Sequence, residues 1–210
     1  MLFGRQSPRI CNEENVVTKS DNKYSMNWLF AGLCVVLMSA PVMAADAPET
    51  VTVTSGAFEH HGTVPERNTA YGDNASIDLS WSDLPAGTVQ VALICDDPIA
   101  PMPQPFVHWV AYNIPVGASL PEGMARDAEV SGVAGLDGMI NGLNGIRQSG
   151  YFGPRPPVDG KLHAYHFRVY ALDAELGLAA GLNKAQLLEA IEGHVLATGM
   201  LMGHYERKDI

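Results

Sequence analysis

The chain has 210 residues, a formal net charge of −10 and 47% hydrophobic residues, which is enough for one domain and a processed segment. An acidic chain without a basic block is a poor candidate for binding nucleic acid or for electrostatic attachment to anionic lipid. Cys11 and Cys34 lie in the leading segment, so Cys95 is left alone and the domain must fold without an internal disulfide.

The leading segment, residues 1–44, is typical of a cleaved secretory signal. Basic residues precede an apolar run over 28–38, and small residues follow it. The run is shorter than the about 20 apolar residues that span a bilayer, although an uncleaved anchor helix is the alternative. Met1 and Met26 are both candidate starts. We therefore expect a domain over 45–210 that is periplasmic or secreted, without stable membrane insertion after processing.

The first half of this domain predicts short strands joined by polar, Gly- and Pro-containing loops. A stretch from 121 to 150 is rich in Gly and weakly periodic, which indicates a long ordered loop and hence a functional surface. In chain order we predict a strand over Val51–Phe58, a loop over His60–Ala75, an alternating strand over Ser76–Trp81, a buried strand over Val89–Cys95, a proline-rich loop over Asp96–Pro105 and a strand over Phe106–Ile114.

The second half predicts two longer strands around one helix. The run Leu162–Leu172 alternates, so that Tyr165 and Phe167 share one face and His166 and Arg168 the other. A helix is predicted over Lys184–Glu192, because Asn183 and Gln186 have the spacing of a capping box. Residues 194–205 predict a closing strand with a bend at glycine. Together these elements indicate a mainly β, sandwich-like domain with a short C-terminal helix.

Two proline-stiffened loops carry the chemistry. The first, over 96–101, leads into His108, and the second, over 150–157, leads into His163 and Tyr165. Proline restricts the backbone, so such loops hold side chains in place at a small entropic cost. Histidine and tyrosine supply donors for a phosphate or carboxylate, and Asp97 could orient a histidine or meet a cationic group.

Four motifs follow in order, namely D-P-I-A-P at 97–101, H-W-V-A-Y-N-I-P at 108–115, G-Y-F-G-P-R-P-P at 150–157 and H-A-Y-H-F-R-V-Y-A-L-D at 163–173. With them the chain resembles the phosphatidylethanolamine-binding, or Raf-kinase-inhibitor-like, family, and its bacterial branch in particular. The resemblance runs from about Val51 to Arg207. It implies two antiparallel sheets in a sandwich with a small anion-binding cavity at one end.

The resemblance also implies which residues form the site. Its expected members are the pocket aspartate, the two histidines, the following aromatic residue and a proline wall: Asp97, His108, Pro154, Pro156, Pro157, His163 and Tyr165. Ile99 departs from the family pattern, which usually has a second aspartate there, and Asp96 is a candidate substitute. Arg155 lies inside the proline segment, where it either strengthens anion binding or faces solvent.

The sequence thus predicts a binding protein for a small anionic ligand or phospholipid head group, without cofactor or metal, and not an enzyme. Members of the family are described as kinase or protease inhibitors, so a protein partner is an alternative, and a phosphoester hydrolase using Asp97, His108 and His163 is another. A homodimer is left open. Purely structural roles are alternatives for Asp97, His108, His163 and Tyr165. If the histidines bind when protonated, affinity should fall as pH rises through about 6.5.

Overall fold

The computed structural model describes residues 47–208, which form two β-sheets and one short α-helix. The predicted signal segment lies outside the described residues. The elements are β1 (Thr52–Thr54), β2 (Gly62–Thr63), a 3-10 helix (Glu66–Asn68), β3 (Ser80–Ser82), β4 (Gln90–Asp97), β5 (Phe106–Pro115), β6 (Ile140–Asn141), β7 (His163–Leu172), α1 (Lys184–Ala190) and β8 (Val195–Tyr205).

The six-stranded sheet has the order β2-β8-β7-β4-β5-β6, and β1 pairs with β3 in a separate two-stranded sheet. Side chains of β7 alternate as predicted. Tyr165 and Phe167 belong to the main core between the two sheets, whereas Tyr170 belongs to a second cluster with Leu187 and Ile191 of the helical region. The large sheet is therefore apolar on both faces, as expected for strands covered on both sides.

The mainly β sandwich with a short C-terminal helix is confirmed, with local differences. The predicted strand over Val51–Phe58 is shortened to β1, because Asp78 accepts hydrogen bonds from the Ser55 hydroxyl and the Gly56 N–H. These contacts hold the chain after β1 by a side chain rather than by a strand ladder. The strand predicted over Ser76–Trp81 is shorter in the structure. Only β3, Ser80–Ser82, is a strand, and Leu79 before it forms an isolated bridge with Leu120.

One pairing departs from a wholly antiparallel arrangement. The two-residue strand β2 runs parallel to β8 at the edge of the large sheet, with Gly62 opposite Gly203. This strand lies inside the segment predicted as loop, and β6 lies inside the long loop over 121–150. Both are too short to leave a periodic signal in the sequence, since at least four alternating residues are needed to recognise a strand.

The predicted helix is confirmed together with its cap. Asn183 Oδ1 accepts from the Gln186 N–H at 3.1 Å, and Gln186 Oε1 accepts from the Asn183 N–H at 3.0 Å. This reciprocal pair satisfies two N–H groups that a helix start leaves unbonded. Within residues 47–208, no helix is both long and apolar enough to cross a bilayer.

Strand directions decide where the site lies. Because β4 is antiparallel to both β5 and β7, the end of β4 meets the beginnings of its two neighbours. Asp97 lies opposite Phe106, and Asp96 lies opposite His166. The two proline-rich loops therefore emerge at one end of the sheet, although they are far apart in sequence.

Candidate functional site

A cavity of about 420 Å³ opens at this end of the large sheet. The side chains around it come from the end of β4, the beginnings of β5 and β7, and the loops that connect them. Among the predicted site residues, the cavity is lined by Asp97, His108, Arg155, Pro156, Pro157, His163 and Tyr165. The structure thus brings together residues that are up to 68 positions apart, from Asp97 to Tyr165.

Asp97 is buried, with 3% of its surface exposed, and both carboxylate oxygens have partners. Oδ1 accepts from the backbone N–H groups of Ile99 at 2.8 Å and Ala100 at 3.1 Å. Oδ2 accepts from His163 Nδ1 at 2.6 Å. One carboxylate therefore fixes both the turn after β4 and the orientation of the first histidine of β7.

The departure at Ile99 leaves this turn intact, because the contact uses the backbone and not the side chain. The Ile99 side chain is 41% exposed and does not line the cavity. Asp96 does not take the place of the missing aspartate. Its carboxylate forms an ion pair with Lys184 at the start of α1 instead.

Two residues that line the cavity each have a buried polar atom without a hydrogen-bond partner: Nε2 of His163 and the hydroxyl oxygen of Tyr165. The nearest charged group to Nε2 is Asp159 Oδ2, at 3.6 Å. Burial, with smaller contributions from the negative charge of Asp97 and from Cys95, raises the pKa of Tyr165 far above its ordinary value. Tyr165 is therefore a neutral hydroxyl that can donate to a ligand.

His108 reaches the cavity through an irregularity in the sheet. In the pairing of β4 with β5, Cys95 lies opposite Trp109 and Asp96 opposite Val107, which leaves His108 as an extra residue in β5. Such a β-bulge turns two successive side chains toward one face. Simple alternation would place His108 opposite to Trp109, whereas the bulge lets it join Asp97 in the cavity.

Burial keeps the imidazole ring of His108 uncharged near neutral pH. Its Nδ1–H donates to the Phe152 carbonyl at 2.6 Å, because a carbonyl can only accept. Burial lowers the pKa of His108 to about 4, against the smaller opposing effects of the Phe152 carbonyl and the negative charge of Asp97. Near neutral pH, Nε2 is thus a hydrogen-bond acceptor and not the donor that we expected, and the predicted titration near pH 6.5 does not apply to it.

Pro154 and Arg155 are adjacent in sequence, but only Arg155 lines the cavity. Pro154 is buried but does not line the cavity; its carbonyl accepts from the Ala70 N–H at 3.0 Å and so fastens the proline segment to the loop after the 3-10 helix. Arg155 is exposed at the cavity mouth. Pro156 contributes to the wall, and its carbonyl accepts from the Tyr71 hydroxyl at 2.7 Å.

Sequence reasoning missed the apolar walls of the cavity. Phe106 packs edge-to-face on His108 with ring centroids 4.8 Å apart, and Phe152 stacks parallel to His108 at 6.1 Å. The bulge and the loop conformation that bring these rings together leave no periodic signal in the sequence. The further lining residues that we did not predict are Tyr71, Ala100, Pro101, Met102 and Ile146.

Histidines and acids of the described part of the chain do not gather into a metal centre. Across residues 47–208, no three His, Cys, Asp or Glu side chains are placed to share one ion. Cys95 is fully buried, and burial together with Asp96 and Asp97 raises the pKa of its thiol. A protonated, buried thiol is a poor nucleophile and a poor ligand, so Cys95 serves the core.

Comparison with known proteins places the chain among related sequences. The family model for phosphatidylethanolamine-binding protein matches residues 54–206. A UPF0098 protein of Methanothermobacter thermautotrophicus is 43% identical over 152 residues, which cover 72% of this chain and 95% of that protein. A UPF0098 protein of Chlamydia muridarum is 39% identical over 160 residues, covering 74% of this chain and 98% of the relative.

Two solved structures share the fold. A putative phosphatidylethanolamine-binding protein homologue from Chlamydia trachomatis superposes with a TM-score of 0.66 at 35% identity, covering 76% of this chain and 99% of that one. YbcL of E. coli, described as a new member of the mammalian family, gives a TM-score of 0.68 at 28% identity, with the same coverage of 76% and 99%. Residues 54–206, which the family model matches, contain both proline-rich loops and the strands that carry the cavity.

Proposed function

The chain belongs to the phosphatidylethanolamine-binding protein family, and we propose that it is an exported protein that binds small ligands by a phosphate-bearing or carboxylate head group. Free anions and phospholipid head groups share this chemistry. Export to the periplasm or the medium is supported by the sequence of residues 1–44, where an apolar run follows a basic flank and precedes small residues.

The observation that carries the proposal is the pair of unpartnered polar atoms on His163 and Tyr165. Leaving a buried polar group without a hydrogen bond costs about 1–3 kcal/mol. Both atoms lie at a cavity large enough for a small head group. A ligand that bonds to both would recover this cost, so the cavity is complementary to a polar group in an otherwise apolar setting.

The donors and acceptors define the head group further. Tyr165 donates, neutral His108 accepts at Nε2, and Nε2 of His163 is a further unpartnered ring nitrogen that a ligand can contact. A protonated phosphate or a carboxylic acid offers acceptor oxygens and one hydroxyl, which matches this set. Arg155 at the mouth adds a positive charge that favours the approach of anions.

We propose binding rather than catalysis, because Asp97 is committed to structure. Its oxygens hold two backbone N–H groups and the His163 ring. A general acid or base must instead be free to exchange a proton with the substrate. The rigid proline wall and the half-buried rings of Phe106 and Phe152 favour a preformed site that holds its ligand without rearrangement.

The proposal is tested by calorimetric titration of the full chain with phosphorylethanolamine and with inorganic phosphate. We expect saturable binding that His108→Ala abolishes and that His166→Ala, on the opposite face of β7, retains. Circular dichroism establishes that both variants are folded. Absence of binding by the folded wild-type protein would reject the ligand-binding proposal.

Replacement of Tyr165 by Phe separates binding from stability. The substitution removes a buried hydroxyl that has no hydrogen-bond partner within the protein, so we expect the free energy of unfolding to rise by about 1 kcal/mol. Phosphorylethanolamine should bind about tenfold or more weakly, because the ligand loses a donor. Urea denaturation and calorimetry measure the two effects. A fall in stability with unchanged affinity would mean that the hydroxyl serves the core.

Inhibition of a kinase- or protease-like protein is a second candidate function. It is favoured by apolar side chains that are exposed at the cavity mouth, where Met102 is 58% and Ile146 is 43% accessible. Exposed apolar groups beside a cavity are common at protein-binding surfaces. If His108→Ala loses the small ligand but keeps a protein partner, the two functions use separate contacts.

A further inference from the structure

A second carboxylate approaches the site from the loop that follows the proline wall. Asp159 lies before β7, and its Oδ1 accepts from the Lys161 N–H at 3.1 Å, which holds the side chain in a local turn. Its Oδ2 lies 3.6 Å from His163 Nε2. The Asp159 side chain is 24% exposed, whereas the His163 side chain is 1% exposed.

His163 is thus bracketed by two acids, one at each ring nitrogen. Asp97 forms a short hydrogen bond at Nδ1, but the contact of Asp159 at Nε2 is longer than a hydrogen bond and leaves that nitrogen unpartnered. The two acids therefore differ in role. Asp97 fixes the ring, and Asp159, which does not itself line the cavity, lies beside the nitrogen that a ligand would contact.

Asp159 carries its negative charge near neutral pH. Partial burial acts to raise its pKa, but the Lys161 N–H and the interactions with His163 outweigh this effect, so that the pKa is lowered. An anion entering the cavity to reach His163 Nε2 must come close to this carboxylate. The local charge therefore opposes the arrival of an anion, which the Tyr165 hydroxyl and the charge of Arg155 favour.

We propose that Asp159 is a specificity-determining residue, whose carboxylate competes with anionic ligands at His163 Nε2 and penalises head groups that carry two negative charges. This inference rests on the proposed function, since it concerns the same cavity. It assigns to Asp159 a role that the motifs around Asp97, His108 and His163 do not contain, because Asp159 lies between the last two motifs.

The size of the penalty follows from simple electrostatics. Two unit charges about 4 Å apart in water repel by an energy that corresponds to about a fivefold change in affinity. The side chain of Asp159 is partly exposed, so water and salt screen its charge. We therefore expect about a fivefold effect at low ionic strength and a smaller one in high salt.

The test is Asp159→Asn in the full chain, titrated with inorganic phosphate and followed by the imidazole resonances in NMR spectra. Asparagine keeps the shape of the side chain and the oxygen that accepts from Lys161, so the turn is retained. Asp137→Asn is the matched control, because it removes the same charge from an exposed position beside the start of β4, at the opposite end of the strand.

We expect Asp159→Asn to bind phosphate about fivefold more tightly than the wild-type protein, with Asp137→Asn unchanged. Equal affinities of the wild-type protein and Asp159→Asn would overturn the role of Asp159 and leave the binding function standing. An equal gain in affinity in both variants would mean that net charge, and not the position of Asp159, causes the effect, and it would overturn the inference as well. Absence of phosphate binding in all three folded proteins would reject both proposals.

Discussion

Replacement of Asp97 by Ala is expected to lower the free energy of unfolding by about 3–5 kcal/mol. The carboxylate is 3% exposed and has three hydrogen-bond partners, two of them backbone N–H groups of the turn after β4. Truncation leaves these donors unpartnered, among them Nδ1 of the buried His163. The loop over 98–105 then loses the contact that orders its beginning, so ligand binding should be lost as well.

Asp97→Asn separates the contacts of Oδ1 with the turn after β4 from the contact of Oδ2 with His163. The amide oxygen can still accept from Ile99 and Ala100, whereas the amide nitrogen that faces His163 Nδ1 can only donate, so the Nδ1–H tautomer of His163 loses its acceptor. We expect a smaller loss of stability than in Asp97→Ala, together with weaker binding of phosphorylethanolamine because His163 is no longer held in one orientation. Urea denaturation and calorimetry measure both quantities. A loss below about 0.5 kcal/mol in Asp97→Ala would contradict the structural role, since that is the range of an ordinary surface substitution.

The framework of this fold could be predicted because its longest elements have strong local signals. Strand β7 alternates over its whole length, α1 has a complete capping box, and β4 is a continuous apolar run. Such patterns depend on neighbours in sequence. The residues of the site were predicted from a different source, namely the resemblance of four motifs to a known family, since nothing in the spacing alone brings Asp97 to His163.

What could not be predicted depends on contacts between distant segments. The bulge at His108 arises from the pairing of β4 with β5, and it decides which face of the sheet the ring occupies. The apolar wall from Phe106 and Phe152, and the position of Tyr71, depend on loops that pack on one another. The protonation of His108 depends on burial, which no sequence pattern gives.

Burial of neutral His108 should make the stability of the protein depend on pH. The pKa of a histidine is about 6.5 in the unfolded chain and is lowered to about 4 here by burial. As pH falls, the unfolded chain therefore takes up the proton first. The stability that depends on a neutral ring is fully present above pH 6.5 and is lost as pH falls from 6.5 to about 4, by about 3 kcal/mol.

The measurement compares urea denaturation of the wild-type protein and His108→Asn between pH 7.5 and 4. The amide of asparagine can donate to the Phe152 carbonyl but does not titrate, so the variant lacks this one contribution while it keeps all others. We expect the wild-type protein to lose about 3 kcal/mol of stability relative to His108→Asn between pH 7.5 and 4, whatever their difference at pH 7.5. Profiles that stay parallel would show that His108 is not held neutral. It would then be available, when protonated, as the anion donor that its place in the H-W-V motif first indicated.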